Sequence, residues 1–320
     1  MSLDLLQSGK IRLDLALEMH DLLRGATQQE VPGVREDKEQ FPNATVTTIT
    51  IMNSQGAQLM NRAVGTYITI DSPALRYFDP AIQTEISTIL ADKLKALLKL
   101  SNTSTILLVG LGNWNATPDA LGPKIVEQSV VTRHLFTHAP EALSPGMRNV
   151  CAIAPGVLGI TGIETAEILR GVVEKVRPEV MIVIDALSAK SVDRIGSTIQ
   201  IADTGISPGS GVGNQRQGIN QETMGCPVIA VGVPTVVHAS IIMNEAIEKL
   251  MQEMKLFQGM RPPAVDNSIR EILTPFEGNL TVTPKEVDSL IQNLSKTIAG
   301  GINQALHPQV NPDNFAMYLQ

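Results

Sequence analysis

From Thr105 onward, uninterrupted apolar runs alternate with segments of helical periodicity, and this alternation narrows the possible folds more than any other feature. Residues 105–109, 149–153, 180–184, 197–202 and 228–233 read as strands, and 121–130, 163–176 and 235–257 read as helices. A strand that is apolar at every position must be covered on both faces, as in a mostly parallel sheet with helices on either side. Ahead of it, Ile82, Ile86, Ile89, Leu90, Leu94, Leu97 and Leu98 fall at helical spacing, so Ala81 to Leu100 predicts one long amphipathic helix.

Thr45–Ile51 and Tyr67–Ile70 are rich in β-branched residues and predict a small β-rich subregion near residues 40–75. Residues 1–40 read as polar and irregular, with Glu36–Gln40 as loop. Gln258–Asn279, holding Pro262, Pro263 and Pro275, reads as a loose connection. Thr283, Pro284 and Glu286 have the spacing of a capping box opening a last helix that runs to about Ala305. The expected fold is α/β, a largely parallel central sheet flanked by helices (phosphorylase/hydrolase-like), with a small β-rich N-terminal subregion.

The chain is 43% hydrophobic but only 3% aromatic, so its core must be built from Ile, Val, Leu, Ala and Met. With 25 basic against 32 acidic residues, a net charge of −7 and no basic block, it is a poor match for nucleic acid or an anionic membrane. No stretch approaches the roughly 18 apolar residues of a membrane span. The first ten residues lack a basic-then-apolar leader pattern, so a soluble cytoplasmic protein is expected. Cys151 and Cys226 are isolated and sit in or beside apolar runs, as small core residues do.

The candidate chemistry lies at strand ends. Gly110-Leu-Gly-Asn113-Trp-Asn-Ala-Thr-Pro-Asp119 follows the first apolar strand, and Asp185 follows Val180–Ile184. Asp119 alone would suit a turn, and Asp185 alone a helix cap. Both at the carboxyl ends of apolar strands, where ligands bind in open α/β sheets, point to a reaction centre. Two carboxyl groups held close can share one proton, activating water while protonating a leaving group.

The Gly110-x-Gly112 turn lacks the third glycine of a dinucleotide fingerprint, because position 115 is Asn. Pro208–Asn214 is glycine-rich without a following Lys-Ser/Thr pair, and Ser210 does not sit in a hydrolase elbow. That segment is either a mobile loop or, with Asp203 and Thr204 before it, a substrate-lining wall offered by Gly209, Ser210 and Gly211. His134 and His138 share i, i+4 spacing, but Leu135 stands where a zinc-protease motif needs Glu, so they read as ordinary polar positions. His238 and Asn113 are the other candidates for lining a site.

Long strings then become recognisable: Gly110–Pro123, Val131-Thr-Arg-His-Leu-Phe136, Pro155–Thr165, Ile184-Asp-Ala-Leu187, Ala202–Ile206 with Pro208–Asn214, and Val282–Asp288. From about residue 11 to 308 the chain resembles the germination proteases (spore proteases) of endospore-forming bacteria. The resemblance implies an endopeptidase that degrades small acid-soluble spore proteins in the forespore or spore core, made as a self-processing zymogen and assembled as a homotetramer. It also implies a fold like that of hydrogenase-maturation proteases, with Asp119 and Asp185 as the catalytic aspartates. No cofactor or metal is expected, and some relatives carry His where this chain has Ser207.

Substrates of the family are cut after an acidic residue and before a large apolar residue followed by Ala. Arg12-Leu-Asp14-Leu15-Ala16 carries that pattern, so the resemblance implies self-cleavage between Asp14 and Leu15. Residues 1–14 would then be a propeptide and 15–320 a single protease domain. If the segment stays attached, the alternation of Ile11–Leu17 reads as a strand. Two rival expectations are a nickel-dependent maturation-type endopeptidase and a non-catalytic binding protein of the same fold.

Overall fold

The computed structural model describes residues 30–207, 217–253 and 263–319, with positions 16, 17, 19, 20 and 23 ahead of them. Its strands are β1 Val34–Gln40, β2 Thr45–Ile51, β3 Gly65–Asp71, β4 Thr105–Gly110, β5 Asn149–Ile153, β6 Val180–Ala189, β7 Thr198–Ala202, β8 Val228–His238 and β9 Thr281–Val282. The main helices are α1 Ser54–Met60, α2 Pro80–Leu97, α3 Leu121–Glu127, α4 Arg133–His138, α5 Thr165–Val176, α6 Ala239–Glu253, α7 Pro263–Leu273 and α8 Val287–Leu306.

The strands form one sheet in the order β1-β2-β3-β7-β8-β6-β4-β5, with β9 added to β8. Strands β5, β4, β6 and β8 are mutually parallel. From β8 through β7, β3, β2 and β1 the pairing is antiparallel. The fold is α/β with a central sheet flanked by helices, parallel in the half that carries the carboxyl end of β4. The expected β-rich N-terminal subregion is β1–β3, which joins the main sheet where β3 pairs with β7.

Strand alternation sends successive side chains to opposite faces, and both faces are covered. Ile106, Leu108, Ile182 and Ile184 meet Leu90 and Leu94 of α2 and Leu294 and Ile298 of α8. On the other face Leu107, Val109, Met181 and Val183 meet Leu169 of α5. Helices α2 and α8 lie close enough for Ser87 Oγ to donate to the Thr297 carbonyl at 2.7 Å. Among the described residues, no helix is long and apolar enough to cross a membrane.

Several local expectations are corrected. Glu36–Gln40 is not loop but most of β1, an edge strand whose exposed charges disfavour pairing with another chain. Strand β8 continues to His238, so its helix begins at Ala239 rather than 235. Strand β6 continues to Ala189 and places Asp185 inside a strand, not at its end. The segment expected as a loose connection contains α7, whose Ile269 and Leu273 pack on Ala239.

The capping box does not form. Thr283 Oγ1 donates instead to the Thr235 carbonyl at 3.0 Å, and α8 starts at Val287. Ahead of β1, positions 16, 17, 19, 20 and 23 are helical, not extended. Ala16, Met19 and Leu23 repeat at helical spacing and pack against Val34, Ile49 and Tyr67.

Candidate active site

Strand β4 ends at Gly110, level with Ile184 of β6, and Leu111 N–H extends the ladder by donating to the Ile184 carbonyl at 2.8 Å. The chain then folds back on itself. Asn113 N–H donates to Asp119 Oδ2 at 2.9 Å and to the Asp119 carbonyl at 3.2 Å. Asp119 N–H in turn donates to the Ala116 carbonyl at 2.7 Å, closing a compact turn that fixes the carboxylate.

Two glycines permit this closure. Gly112 has φ +119°, and a Cβ there would lie 1.9 Å from the Asp119 carbonyl oxygen. A Cβ on Gly122 would lie 2.3 Å from the Leu111 carbonyl oxygen and 2.8 Å from that of Ile184. The start of α3 therefore rests directly on the backbone of β4 and β6. Asp119 is three residues before Gly122 and Asp185 is one residue after Ile184, so the two aspartates flank the carboxyl end of β4. The turn Thr117–Asp119 also packs against β6 and β8.

Asp185 is 8% exposed, and its Oδ1 accepts the Ala186 N–H at 2.9 Å. Its register partner in β8 is Gly232. A Cβ on Gly232 would come within 2.5 Å of the Leu187 side chain, so Leu187 lies across the glycine beside Asp185. The mouth of the site thus pairs an enclosed carboxylate with one tied to a turn.

The remaining candidates divide. Asn113 belongs to the site through its backbone N–H. Asp203 and Thr204 do not, because β7 runs against β8 and its carboxyl end points away from that of β4. Asp203 Oδ1 accepts the Thr66 N–H at 2.7 Å and Thr204 Oγ1 bonds the Tyr67 hydroxyl at 3.2 Å, so they join β7 to β3. His238 closes β8 opposite Thr281, six residues beyond Gly232, or about 20 Å along the strand from Asp185.

Gly209, Ser210 and Gly211, like Asp14 and Leu15, lie outside the described residues. The flanks of the glycine-rich segment are described. Ile206 and Ile219 pair as an antiparallel bridge and pack on the cluster containing Leu111 and Val183, the sheet face to which Asp185 also belongs.

Burial pushes the thiols of Cys151 and Cys226 up, as befits core cysteines rather than nucleophiles. Among the described residues, no three His, Cys, Asp or Glu side chains gather as metal ligands would. One feature escaped the sequence reading. Arg133, His134, Thr137 and His138 of α4, with Val150, Cys151 and Ala152 of β5, line an open pocket of about 380 Å³. No residue-type motif marks it, since it arises only when α4 docks on β5.

Fold and site together define an α/β protein with two aspartates flanking the carboxyl end of the parallel strand β4. The chain belongs to the germination protease family, whose model matches residues 14–259 and 255–319. It is 43% identical to the germination protease of Clostridium tetani over 97% of this chain and 99% of that one. It is 46% identical to that of Caldanaerobacter subterraneus over 93% and 94%. To that of Bacillus cereus it is 40% identical, over 96% of each. The [NiFe] hydrogenase maturation protease HycI from Thermococcus kodakarensis overlaps 67% of this chain and 98% of its own at 17% identity. With a TM-score of 0.36, that likeness adds nothing to the site.

Proposed function

We propose that this germination-family protease is an endopeptidase that begins the degradation of small acid-soluble spore proteins during germination, with Asp119 and Asp185 as its catalytic pair. The observation that carries the reading is the placement of these two carboxyl groups on either side of the β4 carboxyl end. In the reaction, one carboxylate takes a proton from a water as that water attacks the scissile carbonyl. The other, as the acid, delivers a proton to the departing amide nitrogen. General acid–base assistance of this kind contributes about 10²–10⁴-fold.

The enzyme is made as a zymogen that cuts itself between Asp14 and Leu15. It works as a homotetramer in the forespore or spore core, and has no direct nucleic-acid or membrane partner. Loss of residues 1–14 would leave in place Ala16, Met19 and Leu23, which pack against Val34, Ile49 and Tyr67.

The test is cleavage of a purified small acid-soluble spore protein, run with and without chelator, beside intact-mass measurement of the enzyme at mildly acidic pH. Cleavage that survives chelation and a new N-terminus at Leu15 are expected. Activity lost on chelation and restored by nickel would favour the maturation-type reading. Absence of any cleavage would leave a binding protein. An unchanged mass in an already active chain would sink the processing scheme.

A further inference from the structure

The outer edge of β5 and the pocket beside it are not used by the chemistry above. Strand β5 ends the sheet order, so among the described residues no strand neighbours its outer side. At Val150 the outward groups are taken up: the carbonyl accepts the Thr132 N–H and the N–H donates to Thr132 Oγ1, both at 2.9 Å. Two residues on, Ala152 points its N–H and C=O to the same side, by the alternation of an extended chain. No backbone or side-chain partner meets those groups among the described residues.

Directly beside Ala152 lies the pocket of about 380 Å³, whose lining among the described residues includes Arg133, His134 and His138 and no carboxylate. Arg133 is half-buried and makes no ion pair among the described residues. Its charge nevertheless reaches into the pocket, where it opposes the burial that pushes the Cys151 thiol up. In a chain of net charge −7 this is a local positive lining, so what it attracts is set by the pocket and not by the field of the whole molecule.

We infer that the β5 edge and this pocket form a substrate-docking site that takes an extended peptide by strand addition and seats one of its acidic side chains against Arg133. Backbone bonds at Ala152 supply sequence-independent affinity, and the pocket supplies selectivity, the usual division of labour in strand addition. Ala152 is level with Leu108, and two strand spacings plus three residues separate it from Asp185, roughly 14 Å. An extended chain crosses that gap in about four residues. The acidic side chain is therefore read several residues away from the bond that is cut.

This inference deepens the proposed function, and its test does not depend on turnover. Binding of a fluorescein-labelled unstructured acidic peptide is followed by anisotropy on the full chain carrying Asp185→Asn, beside a twin peptide with every acid replaced by its amide. The acidic peptide is expected to bind about tenfold tighter than the amide twin, the scale of one partly exposed Arg–carboxylate pair. Arg133→Gln should erase that preference. Ala152→Pro, which removes an outward N–H at a sheet edge where proline is tolerated, should weaken both peptides by a similar factor.

Equal binding of the two peptides, no binding of either, or an acid preference that survives Arg133→Gln overturns the inference. Arg133→Gln alters a pocket-lining side chain and leaves the backbone untouched, so it decides the matter even where Ala152→Pro lowers the melting temperature. Cleavage of a spore protein by the unmodified chain separates the two readings. Cleavage without acid-selective binding removes only the docking site. Acid-selective binding without cleavage removes only the proposed function.

Discussion

The two halves of the sheet use aspartate differently. In the antiparallel half Asp71 accepts from Arg194 Nη1 at 3.0 Å and from Thr198 Oγ1 at 2.7 Å, and Asp203 accepts the Thr66 N–H at 2.7 Å. Each ties one strand to another element across a seam. In the parallel half Asp185 accepts the N–H of its own neighbour, and Asp119 accepts that of Asn113 within its own turn. Those bonds are local and fasten no second strand. In the proposed reaction the parallel half supplies the reacting carboxylates, because only parallel strands gather their carboxyl ends on one side of the sheet, whereas Asp71 and Asp203 serve as ties.

The sharpest way to break this contrast is to remove charge on each side of it. Asp119→Asn and Asp185→Asn should each lower peptide cleavage by about 10²–10⁴-fold with thermal melting unchanged, since the amide keeps the shape but not the proton exchange. Near-normal turnover by either variant would dissolve the distinction.

Next in size is an effect on stability. His307 is fully buried, with Nε2 bonded to the Val130 carbonyl at 3.2 Å and Nδ1 facing the Arg148 N–H at 3.3 Å. Burial first, and the Arg148 charge with it, lower its pKa to about 4, against a raising contribution from the Val130 bond. The folded state thus binds fewer protons than the unfolded state between about pH 6.5 and 4. Stability is full above the upper value, falls through the window and levels off below it. The loss amounts to about 3 kcal/mol, and denaturant titration across that range should show it. A flat profile would mean the imidazole accepts its proton without unfolding.

Gly112→Ala probes the turn itself. It forces a side chain into positive φ and onto the Asp119 carbonyl, at a cost of about 1–3 kcal/mol, and it should lower activity because Asp119 is displaced. Smallest of all, Asp203→Asn should cost about 1 kcal/mol at the β3–β7 seam and leave cleavage per folded molecule unchanged. If instead it abolishes cleavage in a stable protein, the antiparallel half belongs to the site after all.

What the sequence disclosed follows the same division. Strand β4 and the first half of β6 were legible because burial on both faces makes them apolar at consecutive positions, and β5 was legible from its apolar run although most of it is only half-buried. Strand β1, Val-Arg-Glu-Asp-Lys-Glu-Gln, was not, since an edge strand with an exposed face needs few apolar residues. The second half of β6 hid behind Asp185 and Ser188, which read as the end of a strand. Thr283 misled because its hydroxyl found a tertiary acceptor in Thr235, a competition that no local motif encodes. At the site, the residues Asp119 and Asp185 were visible. The pocket around Arg133 was not, because it depends on α4 lying against β5.

The β3–β7 seam also bears on how the chain comes to be folded. Strand β3 ends at Asp71 and its partner β7 begins at Thr198, 127 residues later. At a synthesis rate of 5–20 residues per second, roughly 6–25 s pass between the emergence of one and the other. Throughout that interval Thr-Tyr-Ile-Thr-Ile, the β-branched body of β3, has an open side that matches any other unpaired strand. A nascent chain stalled between those two points presents an open, β-branched strand edge before the half that would cover it has been made.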